Sequence, residues 1–527
     1  MAKSPMGMQY AGEYNILECK LVTHAGAEID LVDVLIEVNV YEELFSNAIS
    51  ADITFVDTKD LSETLPIIGN EYVRLEIGTP EETSEGSIDF SRHTFVVYKI
   101  LQEVDMNQGK TISLKLTTNE IFLNNRRRVS QSFTGAYSEM VEKIFRGENY
   151  LNCDKQLKLE DTVGGFSFVV PNMHPFDAIN SIAQRSLSRF ETSSYIFYET
   201  TRGYNFRSLE SLFEEGPVME YNVGEGDLHE KKGVNPQEVN LNQIESEKII
   251  SSNDILNGIR TGLYASKMIL HDSFNKTYSE TPFSYKESFS KGNDVETLGG
   301  GQGKPLFPLE SVLDTQGNTV SDYSDSLVTV QSTTGPDSFH TGTYPEFRTP
   351  YGKVNPGSDI LNRFSKLSQI ANGISYYLEI VGNTGIEVGQ LLELNIPKNQ
   401  TDAGELYNEK VSGRYIIKKL KHSFLRYGDN KHRIGLEVVK DSTQLSFPDD
   451  LPDPGSGSGG TVTIWWLLKG KKMTNKNTRK LRTLNFQRQD RIIDNTICEL
   501  TKEASELYTA RTRKFLERKT AWKHLNN

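Results

Sequence analysis

Two stretches of this chain, offset by about 320 residues, carry the same order of alternating apolar positions, and this repeat restricts the fold more than any other feature. In the later stretch Tyr376, Leu378 and Ile380 alternate with Tyr377, Glu379 and Val381, at the strand period of two. Leu392, Leu394 and Ile396 make one face of a second strand. Tyr415 and Ile417 lie on one face of a third, and Ile434, Leu436 and Val438 on one face of a fourth. The turn Tyr427-Gly428-Asp429-Asn430 joins the last two, with residues that tolerate hairpin backbone angles. In the earlier stretch Gly69 precedes Val73, Leu75 and Ile77 as Gly389 precedes Leu392, Leu394 and Ile396. Residues His93 to Ile100 match Gly413 to Leu420, and Ile112, Leu114 and Leu116 match Ile434, Leu436 and Val438. Four short antiparallel strands with one apolar face must close on themselves or on another layer, so each stretch reads as a small β-barrel. Two unrelated β-domains remain the alternative to a repeat.

The pattern G-x-Y-x-I-x-x-L-x-H, from Gly413 to His422, is followed by a turn and then x-I-x-L-x-V through Ile434, Leu436 and Val438. It resembles the tube-type barrel of contractile phage tails. Two such barrels in one chain resemble the baseplate hub protein of T-even-like phages, and the resemblance spans about residues 10–445. It implies a homotrimer whose six barrels form a pseudo-sixfold ring between the hexameric tail tube and a trimeric central spike. Further implied partners are tube or tube-initiator proteins, the tape measure protein and other baseplate proteins, with DNA passing through unbound. The implied location is the virion tail, assembled in the host cytoplasm.

Composition agrees with a multi-domain protein: 527 residues, 25 Phe and 23 Tyr supply material for several cores. Cys19, Cys153 and Cys498 are scattered, outside any metal-ligand spacing, which argues for a reducing compartment and against a disulfide framework. The N-terminal residues lack the apolar core of a signal peptide, and no apolar run reaches membrane length, so no membrane insertion is expected. Charge is divided. Residues 461–527 carry 16 Lys and Arg against 6 Asp and Glu, and residues 1–460 carry 42 against 65. With a ring, the acidic body predicts an acidic channel wall that holds DNA phosphates off; solubility alone is the other reading.

The expected class is α+β: two small antiparallel barrels, an inserted α/β region and a C-terminal helical tail. The first barrel takes residues 1–118, with strands in Asn15 to Val40, an insertion over Tyr41 to Asn47, a strand to Asp57 and a charged loop over 79–90. Residues 119–240 form the α/β insert. A helix there places Met140, Val141, Ile144 and Phe145 on one face, and Pro175 opens a second. A hairpin turns at Thr201-Arg202-Gly203 within FYETTRGYNFRSL, a segment that resembles the hub's insert domain. Residues 241–358 read as a mixed, loop-rich connection, polar over 271–356, and Ile244 to Ile269 mixes helix and strand signals. Residues 359–446 hold an amphipathic helix, with Ile360, Leu361, Phe364, Leu367 and Ile370 turned to the second barrel, and that barrel itself. Residues 447–460 are a Pro/Gly/Ser linker, and 461–527 a basic helical tail.

Signals for chemistry are weak. Arg126-Arg127-Arg128 fits a phosphate grip or, more commonly, an ion-paired loop. His174 before Pro175 fits a capping or packing residue better than a catalyst. Gly299-Gly300-Gly301-Gln302-Gly303-Lys304 fails as a phosphate loop, because Leu298 replaces the first Gly and Pro305 the Ser/Thr. Neither H-E-x-x-H nor G-x-S-x-G occurs. No catalytic, cofactor-binding or metal residue is assigned and no cofactor is implied. A cell-wall hydrolase, needing a carboxylate pair, and a carbohydrate-binding adhesin using tyrosines of the 320–350 stretch are the alternatives to a structural hub.

Overall fold

The computed structural model describes residues 12–24, 26–57, 69–78, 87–106, 109–164, 166–222, 244–251, 254–272, 276–307, 309, 317–333, 356–397, 407–408, 410–426 and 431–444. The linker and basic tail therefore lie outside the described residues, as do the Tyr427–Asn430 turn and most of the 320–350 stretch.

The first half holds β1 (Asn15–Val22), β2 (Glu28–Asp30), β3 (Leu35–Glu43), β4 (Ser50–Asp57), β5 (Tyr72–Gly78), β6 (Ile88–Asp89), β7 (Phe95–Met106) and β8 (Gly109–Thr118). Their inward positions, among them Leu21, Val38, Ile53, Leu75 and Leu114, are fully buried in one core. Outward positions are mainly polar, which is how one strand face stays wet, with Leu17, Tyr72, Tyr98 and Ile100 as exposed exceptions. The chain leaves through α1 (Glu120–Arg126) and builds β9 (Val129–Gly135), α2 (Tyr137–Arg146), β10 (Leu157–Leu159), β11 (Phe166–Met173), α3 (Pro175–Ala183), β12 (Tyr195–Thr200), β13 (Gly203–Ser208) and α4 (Leu209–Phe213). Met140, Val141, Ile144 and Phe145 of α2 meet Phe176, Ile179 and Ile182 of α3 over the β12–β13 hairpin in a second core. Then β14 (Met219–Asn222) and β15 (Ile244–Ser251) return to the large sheet.

Next come α5 (Ile255–Arg260), β16 (Ala265–Asp272), β17 (Thr277–Ser284), α6 (Tyr285–Phe289), α7 (Val295–Leu298), β18 (Lys304–Pro305), β19 (Val328–Thr333) and α8 (Pro356–Asn372). The second barrel closes the described chain with β20 (Ile374–Val381), β21 (Leu391–Asn395), β22 (Gly413–Leu425), β23 (Lys431–Lys440) and β24 (Ser442–Thr443). The fold is α+β, built mostly of antiparallel sheet.

Pairing registers show the repeat directly. In the first barrel β4, β8, β7 and β5 are consecutive neighbours, and in the second β20, β23, β22 and β21. A β-bulge between Val97 and Lys99 on β7 has its counterpart between Ile417 and Lys419 on β22. A bulge between Leu35 and Glu37 on β3 has its counterpart between Ile244 and Ser246 on β15. Bulges re-aim a strand at one position, so matched bulges fix the correspondence β3, β4, β5, β7, β8 to β15, β20, β21, β22, β23.

The glycines that announce the repeat share a left-handed backbone: φ is 90° at Gly69 and 87° at Gly389. Each precedes the same contact, Val97 N–H to Glu71 O at 2.8 Å and Ile417 N–H to Gln390 O at 3.0 Å. Their surroundings differ. A Cβ on Gly389 would lie 2.5 Å from the Tyr198 hydroxyl, whereas nothing lies within 4 Å of one on Gly69. Gly389→Ala is expected to lower stability by about 2–3 kcal/mol and Gly69→Ala by about 1 kcal/mol, from the backbone alone. Equal shifts in the urea midpoint would contradict this packing.

Several expectations change. Strand β3 continues to Glu43 where an insertion from Tyr41 was expected, because its last residues are paired on both sides. The polar 271–356 region contains structure: its β17 and β19 flank the preceding β16 in a three-stranded sheet, and its Tyr285, Leu309 and Val320 join Leu263 and Tyr264 in a small core. Strand β17, TYSETPFS, is rich in Thr, Ser and Glu and lacks an apolar stripe, and β19 offers only Val328 and Val330. On α8, Ile370 and Leu367 pack on the second barrel as expected, but Phe364 is 38% exposed.

Candidate functional site

The two barrels meet along a strand joint. The second half of β22 pairs antiparallel with β3 over seven residue pairs, from Lys419 opposite Glu43 to Leu425 opposite Glu37. The inward side of this joint is apolar and closed: Val38, Val40, Leu420 and Phe424 are buried. The outward side is polar, with Lys419 3.2 Å from Glu43 and the Lys421 ammonium over the Tyr41 ring. The joint makes one continuous sheet of fourteen strands among the described residues.

A buried histidine pair sits at the middle of the joint, where His422 lies opposite Val40. His422 Nδ1 and His432 Nε2 are 3.1 Å apart, so one nitrogen must carry a proton and the other accept it. Phe424 stacks on His432 at 4.1 Å, with Tyr14 against its other neighbours at 5.3 Å from Phe424. Burial pushes His422 down to about 3 and drives His432 well below its usual value. Both rings are therefore neutral packing elements.

The β12–β13 hairpin wedges against both barrels by placing backbone amides and charged groups together. Toward the first barrel, Glu199 accepts from Ile49 N–H at 2.9 Å, from the Thr118 hydroxyl at 2.7 Å and from Lys155 at 2.6 Å. Lys155 also reaches Glu120 at 2.7 Å. Burial alone would lower the Lys155 ammonium, but Glu199 and Glu120 outweigh it and hold it above its usual range. Toward the second barrel, Glu42 of β3 accepts from Thr201 N–H at 2.8 Å and from Val388 N–H at 3.0 Å, while Arg202 meets Glu387 at 2.8 Å. Burial, with Glu387 adding, pushes the Glu42 carboxyl up to about 8. This one hairpin thus fixes how the joint is braced.

The exposed face of the joined sheet carries both signs in pairs. Lys115 sits 3.1 Å from Asp52, Lys418 2.8 Å from Glu437, and Arg433 3.5 Å from Glu245.

The residues singled out for chemistry serve packing. His174 points Nδ1 at the carbonyls of Asn124 and Arg127, each at 3.0 Å, and so ties α1 to α3. Arg127 donates to the carbonyls of Glu148 and Tyr150, and Arg128 to that of Asn172 at 2.9 Å. Arg127 and Arg128 fasten loops. Gly299 caps α7, and Glu296 of that helix accepts from Arg414 N–H at 3.1 Å. Among the described residues no group of three or more His, Cys, Asp or Glu could hold a metal ion, and no helix is long and apolar enough to cross a membrane. An open groove of about 880 Å³ beside β10 is lined by Lys158, Glu160 and Asp161, with Arg189 paired to Glu214 and Arg207 to Glu215. Cys19 and Cys153 are free and buried.

No family model and no curated protein matches the chain. Solved structures similar to it include tail proteins, prophage tail proteins and VgrG complexes. A tail protein from Neisseria meningitidis MC58 is 11% identical at TM-score 0.45, covering 81% of this chain and 97% of that one. The 43 kDa tail protein of prophage MuSo2 from Shewanella oneidensis is 9% identical at TM-score 0.44, covering 80% and 98%. An E. coli component of the type VI secretion system, described as similar to T4 tail proteins gp27 and gp5, is 8% identical at TM-score 0.34, covering 82% and 78%.

Proposed function

We propose that this chain is a structural, non-enzymatic subunit of the baseplate hub of a contractile phage tail. The observation that carries this reading is the strand joint between β22 and β3, which holds two repeated barrels as neighbours in one sheet. Two neighbours of that kind are two adjacent positions of a ring. Three chains supply six barrels while the assembly keeps threefold symmetry, so the ring matches a hexameric tube above and a trimeric central spike below. A tape measure protein and other baseplate proteins complete the partner set. Residues 447–460 act as a linker in this reading, and the basic 461–527 tail as the contact to neighbouring baseplate proteins.

The paired charges of the exposed face suit a conduit. Cations that gather phosphates release counterions and make DNA stick. Lysines already matched by Asp52, Glu43 and Glu437 offer that gain weakly, so duplex DNA passes without specific binding.

The test is mass. Light scattering on the full chain at micromolar concentration is expected to give about three times 59.5 kDa, the trimer that two barrels per chain require. A stable monomer or a true hexamer would sink the reading.

A further inference from the structure

We propose that Lys155, Glu199 and Glu120 form a self-modifying site, in which the Lys155 amine condenses with the Glu199 carboxyl to an isopeptide bond. The reaction happens once in each chain and turns over no substrate. It goes beyond the structural reading and does not depend on the ring.

The three side chains stand where this chemistry needs them. Lys155 Nζ lies 2.6 Å from Glu199 Oε1 and 2.7 Å from Glu120 Oε2, within reach of both an electrophile and a base. The two carboxylates differ at their other oxygens. Glu199 Oε2 accepts from Ile49 N–H at 2.9 Å and from the Thr118 hydroxyl at 2.7 Å. Those two donors make an oxyanion hole for the charge that develops on Oε2 when Cδ is attacked. Glu120 Oε1 meets the Cys153 thiol, a weak donor, at 3.5 Å. Glu199 is therefore the electrophile and Glu120 the base.

The surroundings favour loss of charge. All three residues are buried, and the Tyr204 ring lies 5.8 Å from the ammonium. Burial, with Glu120 adding, raises the Glu199 carboxyl against the pull of Lys155, toward the acid form that an amine can attack. The two carboxylates hold the proton on Lys155, so its transfer sets the pace and the charged triad is the state before reaction. Fixed contact between the partners supplies effective molarities on the order of 10⁵–10⁸ M.

Glu120 takes one proton from the Lys155 ammonium and passes it to Glu199 Oε1, leaving an amine and a carboxylic acid. The amine electron pair then bonds to Glu199 Cδ, and Oε2 becomes the oxyanion. Glu120 carries a second proton from the nitrogen to the Oε1 hydroxyl. That group leaves as water with the electron pair of its bond to Cδ, and the carbonyl re-forms at Oε2. One ammonium and one carboxylate give one amide and one water. Nothing is oxidised or reduced, and Glu120 ends as a carboxylate. The bond spans 44 positions of sequence and ties the hairpin that braces both barrels to the segment before β10.

The experiment is intact mass spectrometry on the full chain held in neutral native buffer. The chain is expected to lose the mass of one water. Trypsin is expected to release a branched peptide joining Gly147–Lys158 to Phe190–Arg202, with Lys155 uncut. Glu199→Gln is expected to reach the same linked mass by losing ammonia, because its amide carbon accepts the same attack. Thr118→Val removes one oxyanion donor and is expected to slow linkage on the order of a hundredfold. Glu120→Gln removes the relay and is expected to leave the chain unlinked; linkage at the original rate would overturn its role. A full chain that keeps its sequence mass through prolonged incubation overturns the inference, and that result needs no variant to fold. A lighter chain without the branched peptide also overturns it, as does a branch through Leu116–Arg126, which would make Glu120 the electrophile.

Discussion

Replacing Lys155 by methionine is expected to destabilise the protein by about 3–5 kcal/mol, the largest effect of any single substitution proposed here. Methionine matches the length of the lysine stem, so little volume is lost. What is lost is the cation between Glu120 and Glu199, which lie 2.7 and 2.6 Å from it and are 6% and 2% exposed. Two carboxylates then face each other in a dry site. Glu199 also holds Ile49 N–H and the Thr118 hydroxyl, so strain at this carboxylate loosens the insert from the first barrel. Adding Glu199→Gln and Glu120→Gln to Lys155→Met should recover part of the loss, since an amide tolerates burial better than an unpaired charge. Urea unfolding followed by circular dichroism measures both; a loss below about 1 kcal/mol for Lys155→Met would mean that the triad is not buried as described.

Acid is expected to unfold the second barrel through its histidine pair. Both folded-state values lie below the unfolded value of 6.5. The unfolded chain therefore binds protons below pH 6.5 that the folded chain refuses. Stability is fully present above that pH and falls as pH drops from 6.5 toward 3. Two such groups together approach a slope of about 2.7 kcal/mol per pH unit. His422→Gln removes one of them and should flatten the acid limb between pH 6 and 4 by about 1.4 kcal/mol per unit. Parallel curves for the two proteins would show that the rings take up protons in the folded state.

The barrels were legible because their strands alternate and each face has one destination. Leu392, Leu394, Leu436 and Val438 all became core, as did Val73, Leu75, Leu114 and Leu116. Helices α2 and α3 were legible for the matching reason, a stripe at helical spacing. The joint was not legible. β3 ends in Tyr41, Glu42 and Glu43, which look like a solvated loop, and only pairing with β22 makes them strand. Glu120, Lys155 and Glu199 carry no signal of proximity, since charged residues far apart in sequence read as surface. The only hint was Glu199 inside the apolar run of its hairpin. Strands β17 and β19 were missed because hydroxyl and charged residues obscure the period of two, while β16 begins inside the Ile244 to Ile269 stretch, where helix and strand signals mix. The histidine ending the motif at His422 was visible, but its partner His432 lies beyond the hairpin turn and was not.

The joint also sets an order in time. Strand β3 finds its partner 376 positions later, counting from Glu43 to Lys419. At a ribosomal rate of roughly 5–20 residues per second, the first barrel waits roughly 20–75 s for β22 to emerge. Throughout that interval one side of Val38, Val40 and Tyr41 lacks the strand that covers it in the finished sheet. A nascent barrel with an open edge can pair with the wrong neighbour, including the β3 edge of another growing chain. Slowing translation within residues 120–412 should lengthen the exposure and raise the aggregated fraction, while slowing it once β22 and β23 have left the ribosome should change nothing. The second barrel is thus the lid under which the first one finishes folding.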